Sequence, residues 1–157
     1  MTENHSPTYR LEQQQFIPRP RSEVFQFFSD AFNLERLTPP FLHFKIITPR
    51  PIQMRANALI DYRLKLYGVR FRWRTLIEAH TPEVAFVDTQ IKGPYRIWHH
   101  THTFEEVDGG TLMRDVVRYQ LPLGLLGRIA HFLFVRRSLK RIFEFRRDTV
   151  QTIFAAQ

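Results

Sequence analysis

The stretch ALIDYRLKLYGVRFRWRTLI, residues 58–77, decides the kind of fold this chain adopts. In its second half Val69, Phe71, Trp73, Thr75 and Ile77 alternate with Arg70, Arg72 and Arg74. That period of two belongs to a strand with one apolar face and one row of guanidiniums. With Tyr67-Gly68 as a two-residue turn, Leu66 opposes Val69 and Leu64 opposes Phe71. Ile60, Tyr62, Leu64 and Leu66 then lie on the face of the aromatics, so the two strands agree about which side is buried.

Outward from this hairpin the same period recurs in FLHFKII (41–47), AFVDTQIK (85–92), RIWHHTHTFEEV (96–107) and TLMRDVVRYQL (111–121), all read as strands. Upstream, TYRLEQQQFI (8–17) is a first strand ended by Pro18 and Pro20, which donate no ladder hydrogen bond. Ser22 offers a helix N-cap, and Val24, Phe25, Phe28 and Phe32 recur at helical spacing. A second short turn, NLERL, stops at Pro39 and Pro40. After Pro122 the period returns to 3.6, and Phe132, Val135, Leu139, Ile142, Phe143, Val150 and Ile153 make one stripe of a helix over residues 125–155. Arg136, Arg137, Lys140, Arg141 and Arg147 lie mostly off that stripe. The order is strand, two short helices, six antiparallel strands, long helix. It predicts an α+β fold in which the long helix covers the apolar face of a twisted sheet of six to seven strands. At 157 residues the chain is the size of one domain, expected over 8–155 behind a flexible tail, 1–7.

Composition narrows the chemistry. With 43% hydrophobic residues and 15 Phe the chain is globular. It has no cysteine, which removes disulfides, thiolate nucleophiles and Cys-based zinc sites and fits a cytoplasmic location. Neither a signal peptide nor a spanning helix is expected. A net charge of +8 favours anionic partners without choosing among them. Arg70, Arg72 and Arg74 point away from Trp73, so basic and stacking groups are on opposite faces and no specific nucleic-acid contact is expected. There is no P-loop or G-x-G-x-x-G fingerprint, so no nucleotide cofactor is expected.

Three histidines, His99, His100 and His102, fall in one strand. The turn in VDGGT favours a two-residue hairpin loop, which pairs even positions before it with odd positions after it. Trp98, His100, His102 and Phe104 then share the inner face with Met113, Asp115, Val117, Tyr119 and Leu121, while His99 faces out. An even loop at TPEV turns Phe86, Asp88 and Gln90 inward as well. Polar groups on an apolar wall need partners, because each one left unsatisfied costs on the order of 1–3 kcal/mol. Either they satisfy one another or they line a pocket. His-x-His with Glu106 also matches the HxHxxxE fragment of metal-binding cupins. Glu106 sits at the hairpin end, the second cupin motif is missing and the terminal helix is foreign to that barrel, so no metal is expected.

The segments FIPRPRSEVFQFFSDAFNLERLTPPF, GPYRIWHHTHTFEEVDGGT and VRYQLPLG, taken with this element order, resemble the ligand-binding SRPBCC proteins. This is the START-like, helix-grip superfamily of polyketide cyclases, birch-pollen-type allergens and lipid-transfer domains. The NLERLTPP turn and HTHxFE strand resemble a bacterial, polyketide cyclase/dehydrase-related subgroup, some of whose relatives are fused to epimerase-like domains. The resemblance covers about residues 8–150 and implies a curved antiparallel sheet wrapped around the C-terminal helix, with two short helices after the first strand. It implies a cavity more than a reaction.

The expected function is binding of a small hydrophobic or amphipathic molecule between sheet and helix. Ile60, Tyr62, Leu64, Phe71, Trp73, Phe86, Trp98, Phe104, Val117 and Tyr119 would form the walls, with Phe132, Leu139 and Phe143 from the helix. Asp88, Gln90, His100, His102 and Asp115 would recognise a polar group. The alternative is a cofactor-free lyase of cyclase or dehydratase type using His100, His102 and Asp115 as acid–base groups. An adaptor, by contrast, would have a filled core with no cavity of about 300 Å³ or more. LPLGLLGRIAHFLFV (121–135) reads as a buried helix start, with Gly124 and Gly127 turning the chain into it. Its competing reading is a surface that touches an anionic bilayer transiently while a lipid is loaded.

Overall fold

A computed structural model describes residues 6–155. β1 (Tyr9–Ile17) is followed by α1 (Arg21–Ser29), α2 (Asn33–Arg36) and a 3₁₀ turn at Pro40–Leu42. Six strands follow: β2 (Lys45–Ile46), β3 (Leu59–Leu66), β4 (Val69–Thr81), β5 (Ala85–Lys92), β6 (Ile97–Val107) and β7 (Gly110–Gln120). The chain ends in α3 (Gly124–Ala130), a π-helical turn (His131–Val135) and α4 (Arg136–Ala155). The seven strands form one antiparallel sheet in the order β1-β7-β6-β5-β4-β3-β2. α4 lies across its concave face. Leu139 and Phe143 pack on Val117 and Tyr119, while Val150 and Phe154 join Ile17, Val24, Phe104 and Met113.

Turn chemistry sets the register. Tyr67 and Gly68 both take positive φ, 49° and 83°, and the β3–β4 pairing is Leu66 with Val69, Leu64 with Phe71 and Tyr62 with Trp73. Between β6 and β7, Val107 pairs with Gly110, so the loop is Asp108-Gly109 and the expected parity holds, with His102 opposite Asp115 and His100 opposite Val117. A Cβ at Gly110 would run into the carbonyl oxygen of Ile17 and approach Pro18 Cα at 2.9 Å, both backbone atoms. Gly110→Ala should therefore destabilise by about 1–3 kcal/mol or more, measured by urea unfolding, because main chain and not a side-chain tip must move.

Several expectations need correction. FLHFKII is not a strand over its length: Pro39 and Pro40 start the 3₁₀ turn, His43 takes a φ of 45°, and only Lys45–Ile46 pairs with β3. The β4–β5 loop is odd, Pro82 to Val84 between paired Thr81 and Ala85, and a bulge between Ile77 and Ala79 restores the parity that turns Asp88 inward. Pro20, not Ser22, stands at the N-cap of α1. The C-terminal helix is not one continuous stripe. The π turn carries an extra residue, which rotates what precedes it by about 100° relative to α4. Phe132 is consequently 76% exposed, neither on the stripe nor on a cavity wall. The segment expected to be a buried helix start is open as well, with Leu123, Leu125, Leu126, Ile129, Leu133 and Phe134 exposed.

Residues 1–5 of the expected tail 1–7 lie outside the described residues. Ser6 is buried, and its carbonyl accepts a hydrogen bond from Gln120 Nε2.

Candidate functional site

The site is built on β6, whose even-numbered side chains face α4. Register places Asp88 of β5 beside His100 and Asp115 of β7 beside His102. Two carboxylates from flanking strands thus bracket two imidazoles. His100 Nε2 donates to Asp115 Oδ1 at 2.9 Å, and His102 Nε2 donates to Asp88 Oδ2 at 2.6 Å. The other nitrogen of His102, Nδ1, also meets Asp115 Oδ1, at 2.9 Å. His100 Nδ1 is 3.7 Å from Asp88 Oδ2. Phe86 stacks on the His102 ring with centroids 4.2 Å apart.

Arg146 of α4 completes the cluster. Its Nη2 is 3.6 Å from Asp115 Oδ1 and 3.4 Å from His102 Nδ1, and its guanidinium lies over the Phe28 ring. His100, His102, Asp115 and Arg146 are all buried, and Asp88 is nearly so.

This environment divides the two histidines. Burial pulls both down. For His102 the hydrogen bonds to Asp115 and Asp88, with their charges, outweigh burial and raise its pKa. For His100 the neighbouring His102 adds to the burial penalty, and together they exceed the pull of Asp88 and Asp115, so its pKa is lowered. Burial pushes the carboxyls up, yet Arg146 and the imidazoles hold Asp115 well below the usual carboxylate range, and His100, His102 and Arg146 lower Asp88. The carboxylate oxygens 2.6 and 2.9 Å from its two nitrogens suit His102 as an imidazolium, and in that state Asp88⁻ and Asp115⁻ face His102⁺ and Arg146⁺ around a neutral His100. The charges cancel, which is the condition under which burying them is tolerable.

Asp88, His100, His102 and Arg146 of the cluster line a cavity of about 180 Å³. Its walls include Tyr62, Leu64, Trp73, Phe86 and Trp98 from the sheet and Leu139 and Phe143 from α4, with Asp88, His100, His102 and Arg146 at the polar end. Trp73 Nε1 donates to Thr75 Oγ1 at 3.1 Å, and the Tyr62 hydroxyl is 3.0 Å from the same oxygen, so their polar atoms are satisfied within the wall. The cavity is smaller than the roughly 300 Å³ at the lower end for ligand sites. Three rings occupy the difference: Trp73 lies 5.7 Å from Tyr95 and 5.3 Å from Trp98, and Tyr95 lies 4.8 Å from Trp98.

Six of the expected site residues do not line this cavity. Phe71 stands nearer the hairpin tip, and Phe104 is in the core formed with α1. Val117 and Tyr119 are covered by Leu139 and Phe143. Gln90 is committed to the backbone of Tyr95, donating to its carbonyl at 2.6 Å and accepting from its N–H at 3.1 Å. Asp115 sits behind the histidines and acts on the cavity through them. Tyr119 instead meets His131 Nε2 at 2.8 Å, and Tyr9 stacks on that imidazole at 3.4 Å.

Arg146 and Tyr95 also line the cavity, beyond the residues expected from the sequence. The signal for Arg146 was present: it stands three residues after Phe143 and four before Val150, in phase with the buried stripe.

Asp88, His100 and His102 could each offer a ligand atom to a metal, all within 4.8 Å of one another. An ion there would have to displace the His102 proton and sit beside the Arg146 guanidinium. The donor set fits proton sharing better than cation binding.

None of the curated proteins compared matches the chain. Among solved structures, the Zhui aromatase/cyclase from Streptomyces sp. R1128 is similar with a TM-score of 0.74 at 11% identity, over 95% of this chain and 94% of that one. TTHA0849 from Thermus thermophilus is similar with a TM-score of 0.71 at 18% identity, over 96% and 98%. A nucleoside-diphosphate sugar epimerase from Corynebacterium glutamicum is 26% identical, with a TM-score of 0.65, over 90% of this chain but 28% of its own. The first two likenesses are of fold, a START-like helix grip. Residues 17–145 match the family described as polyketide cyclase / dehydrase and lipid transport, and since the match takes in more than half of the chain, the chain belongs to that family.

Proposed function

We propose that the protein binds one small, neutral, hydrophobic molecule, about the size of a single substituted ring, with a hydroxyl-type donor turned toward Asp88 and His100. The observation that supports this reading is an apolar cavity of about 180 Å³ ending on a charge-balanced cluster. A cavity of about 150 Å³ already accommodates benzene, which sets the scale of the guest. Its polarity follows from the acceptors: the Asp88 carboxylate and the unprotonated nitrogen of His100. A charged guest would unbalance a cluster that is neutral without it.

The experiment is titration of 4-ethylphenol and ethylbenzene into the protein, read by fluorescence of Trp73 and Trp98. The phenol should bind about tenfold or more tighter, since a hydrogen bond to a charged group contributes roughly 1.5–3 kcal/mol. His100→Ala should shrink the difference. Equal affinities, or a preference for 4-ethylbenzoate, would sink the reading.

One observation favours a second reading, acid–base catalysis of cyclase or dehydratase type. A neutral imidazole facing a largely apolar cavity and steered by two carboxylates is what a general base requires. His100→Ala would then leave binding of a phenolic substrate largely intact and remove its turnover. Hydrophobic guests partition into bilayers, and segment 121–135 is where this chain would meet one.

A further inference from the structure

The amphipathic pattern at the start of the C-terminal helix is inverted. Leu125, Leu126, Ile129, Phe132 and Leu133 recur at helical spacing, yet they face solvent, from 48% exposed at Ile129 to 76% at Phe132. Beyond the π turn the corresponding stripe, Leu139, Phe143 and Val150, is buried. A contiguous apolar patch of this kind marks an interaction surface.

The β3–β4 hairpin tip reaches the same place. Tyr67 and Val69 are 62% and 55% exposed, the Tyr67 hydroxyl is 2.5 Å from Ser138 Oγ, and its ring lies 5.9 Å from Phe134.

At the hairpin tip, residues 63–72, and at the start of the C-terminal helix, every charged side chain is cationic. No Asp or Glu occurs between Asp115 and Glu144, while Arg128, Arg136, Arg137, Lys140 and Arg141 border the apolar stripe. On the hairpin Arg63 stands directly opposite Arg72, and Lys65 opposite Arg70. Like charges paired across strands oppose folding, so an anionic partner would relieve them.

We propose that α3, the π turn and the β3–β4 hairpin tip form one docking surface for an anionic lipid bilayer, the apolar side chains entering the acyl boundary and the arginines meeting headgroup phosphates. The charge pattern selects this occupant. A second copy would bring Arg128, Arg136 and Arg137 against their own counterparts, and a nucleic acid would match the cations while leaving Leu126 and Phe132 in water. Leu66 and Leu139 line the cavity and adjoin Tyr67 and Ser138, so a docked protein turns this wall of the cavity toward the lipid. The docking stands independently of what the cavity binds.

Co-sedimentation with vesicles tests it. The full chain should bind vesicles of equimolar phosphatidylcholine and phosphatidylglycerol, bind phosphatidylcholine alone far more weakly, and be released by salt. The double exchange Arg136→Ala/Arg137→Ala should weaken binding roughly thirtyfold. Leu126→Glu/Phe132→Glu should abolish it with the melting temperature unchanged, since both sites are exposed. Absence of binding, equal binding to both vesicles, survival of binding in the glutamate variant, or concentration-dependent dimerisation that this variant removes would each overturn the proposal.

Discussion

Exchanging Arg146 for methionine should destabilise the protein by about 3–5 kcal/mol, the cost of leaving a buried charge without its partner. Methionine fills a similar volume over Phe28, so the loss reports charge and not a void. Asp115 would keep its negative charge, one imidazolium would face two carboxylates, and the cluster would carry a net −1. Adding Asp115→Asn should not deepen the loss in proportion. The amide oxygen still accepts from His100, and Asp88⁻ with His102⁺ again sums to zero. The two changes should couple by on the order of 1–3 kcal/mol in a double-mutant cycle of urea unfolding. Simple additivity would mean that the guanidinium and the carboxylate do not compensate each other.

Short turns explain how much of this was legible in the sequence. Tyr67-Gly68 and Asp108-Gly109 each fix a register, and a register fixes which side chains are inside. The Asp108-Gly109 turn puts His100, His102 and Asp115 on one face, and the apolar residues that share that face mark it as the inner one. What failed did so where regularity is broken by something no periodicity encodes. The bulge between Ile77 and Ala79 and the odd Pro82–Val84 loop are two departures whose effects on parity cancel, so Asp88 faces inward although the loop is odd and not even. The π turn at His131–Val135 has no cancelling partner, so Phe132 faces solvent and not the cavity. Arg146 is hard to read for a different reason: a cation within an apolar stripe looks like a gap until the carboxylate that it neutralises is seen across the interface.

The size of the cavity was not legible at all. Counting inward aromatics predicts wall area, but Trp73, Tyr95 and Trp98 use their area on one another. Trp73 packs edge to face on Tyr95 and Trp98, and this packing takes up volume that Trp73 and Trp98 were expected to enclose. The same residues that suit a sheet to an apolar guest therefore limit how large that guest can be.

The divided histidines give the protein a stability profile with a maximum near pH 6.5, about the ordinary histidine value. As pH falls through that value the unfolded chain takes up a proton at His100. The folded chain does not, because burial and His102 depress that pKa. Stability then falls with pH, by up to about 1.4 kcal/mol per unit for one proton. His131, lowered by burial and by Arg136, adds to this limb. Toward more acid pH the depressed Asp88 and Asp115 steepen it, because their contribution is present above about pH 3.9 and is lost as pH falls through their folded values. On the alkaline side the sign reverses. His102 is raised, so its contribution is complete below about pH 6.5 and is lost as pH climbs to its folded value. Urea midpoints measured from mildly acid to mildly alkaline buffer should trace this bell in the wild type. His100→Phe should flatten the acid limb, down to what His131 contributes, and leave the alkaline limb in place. A monotonic wild-type profile, or an acid limb that His100→Phe does not change, would show that the two imidazoles share their environment and are not divided by it.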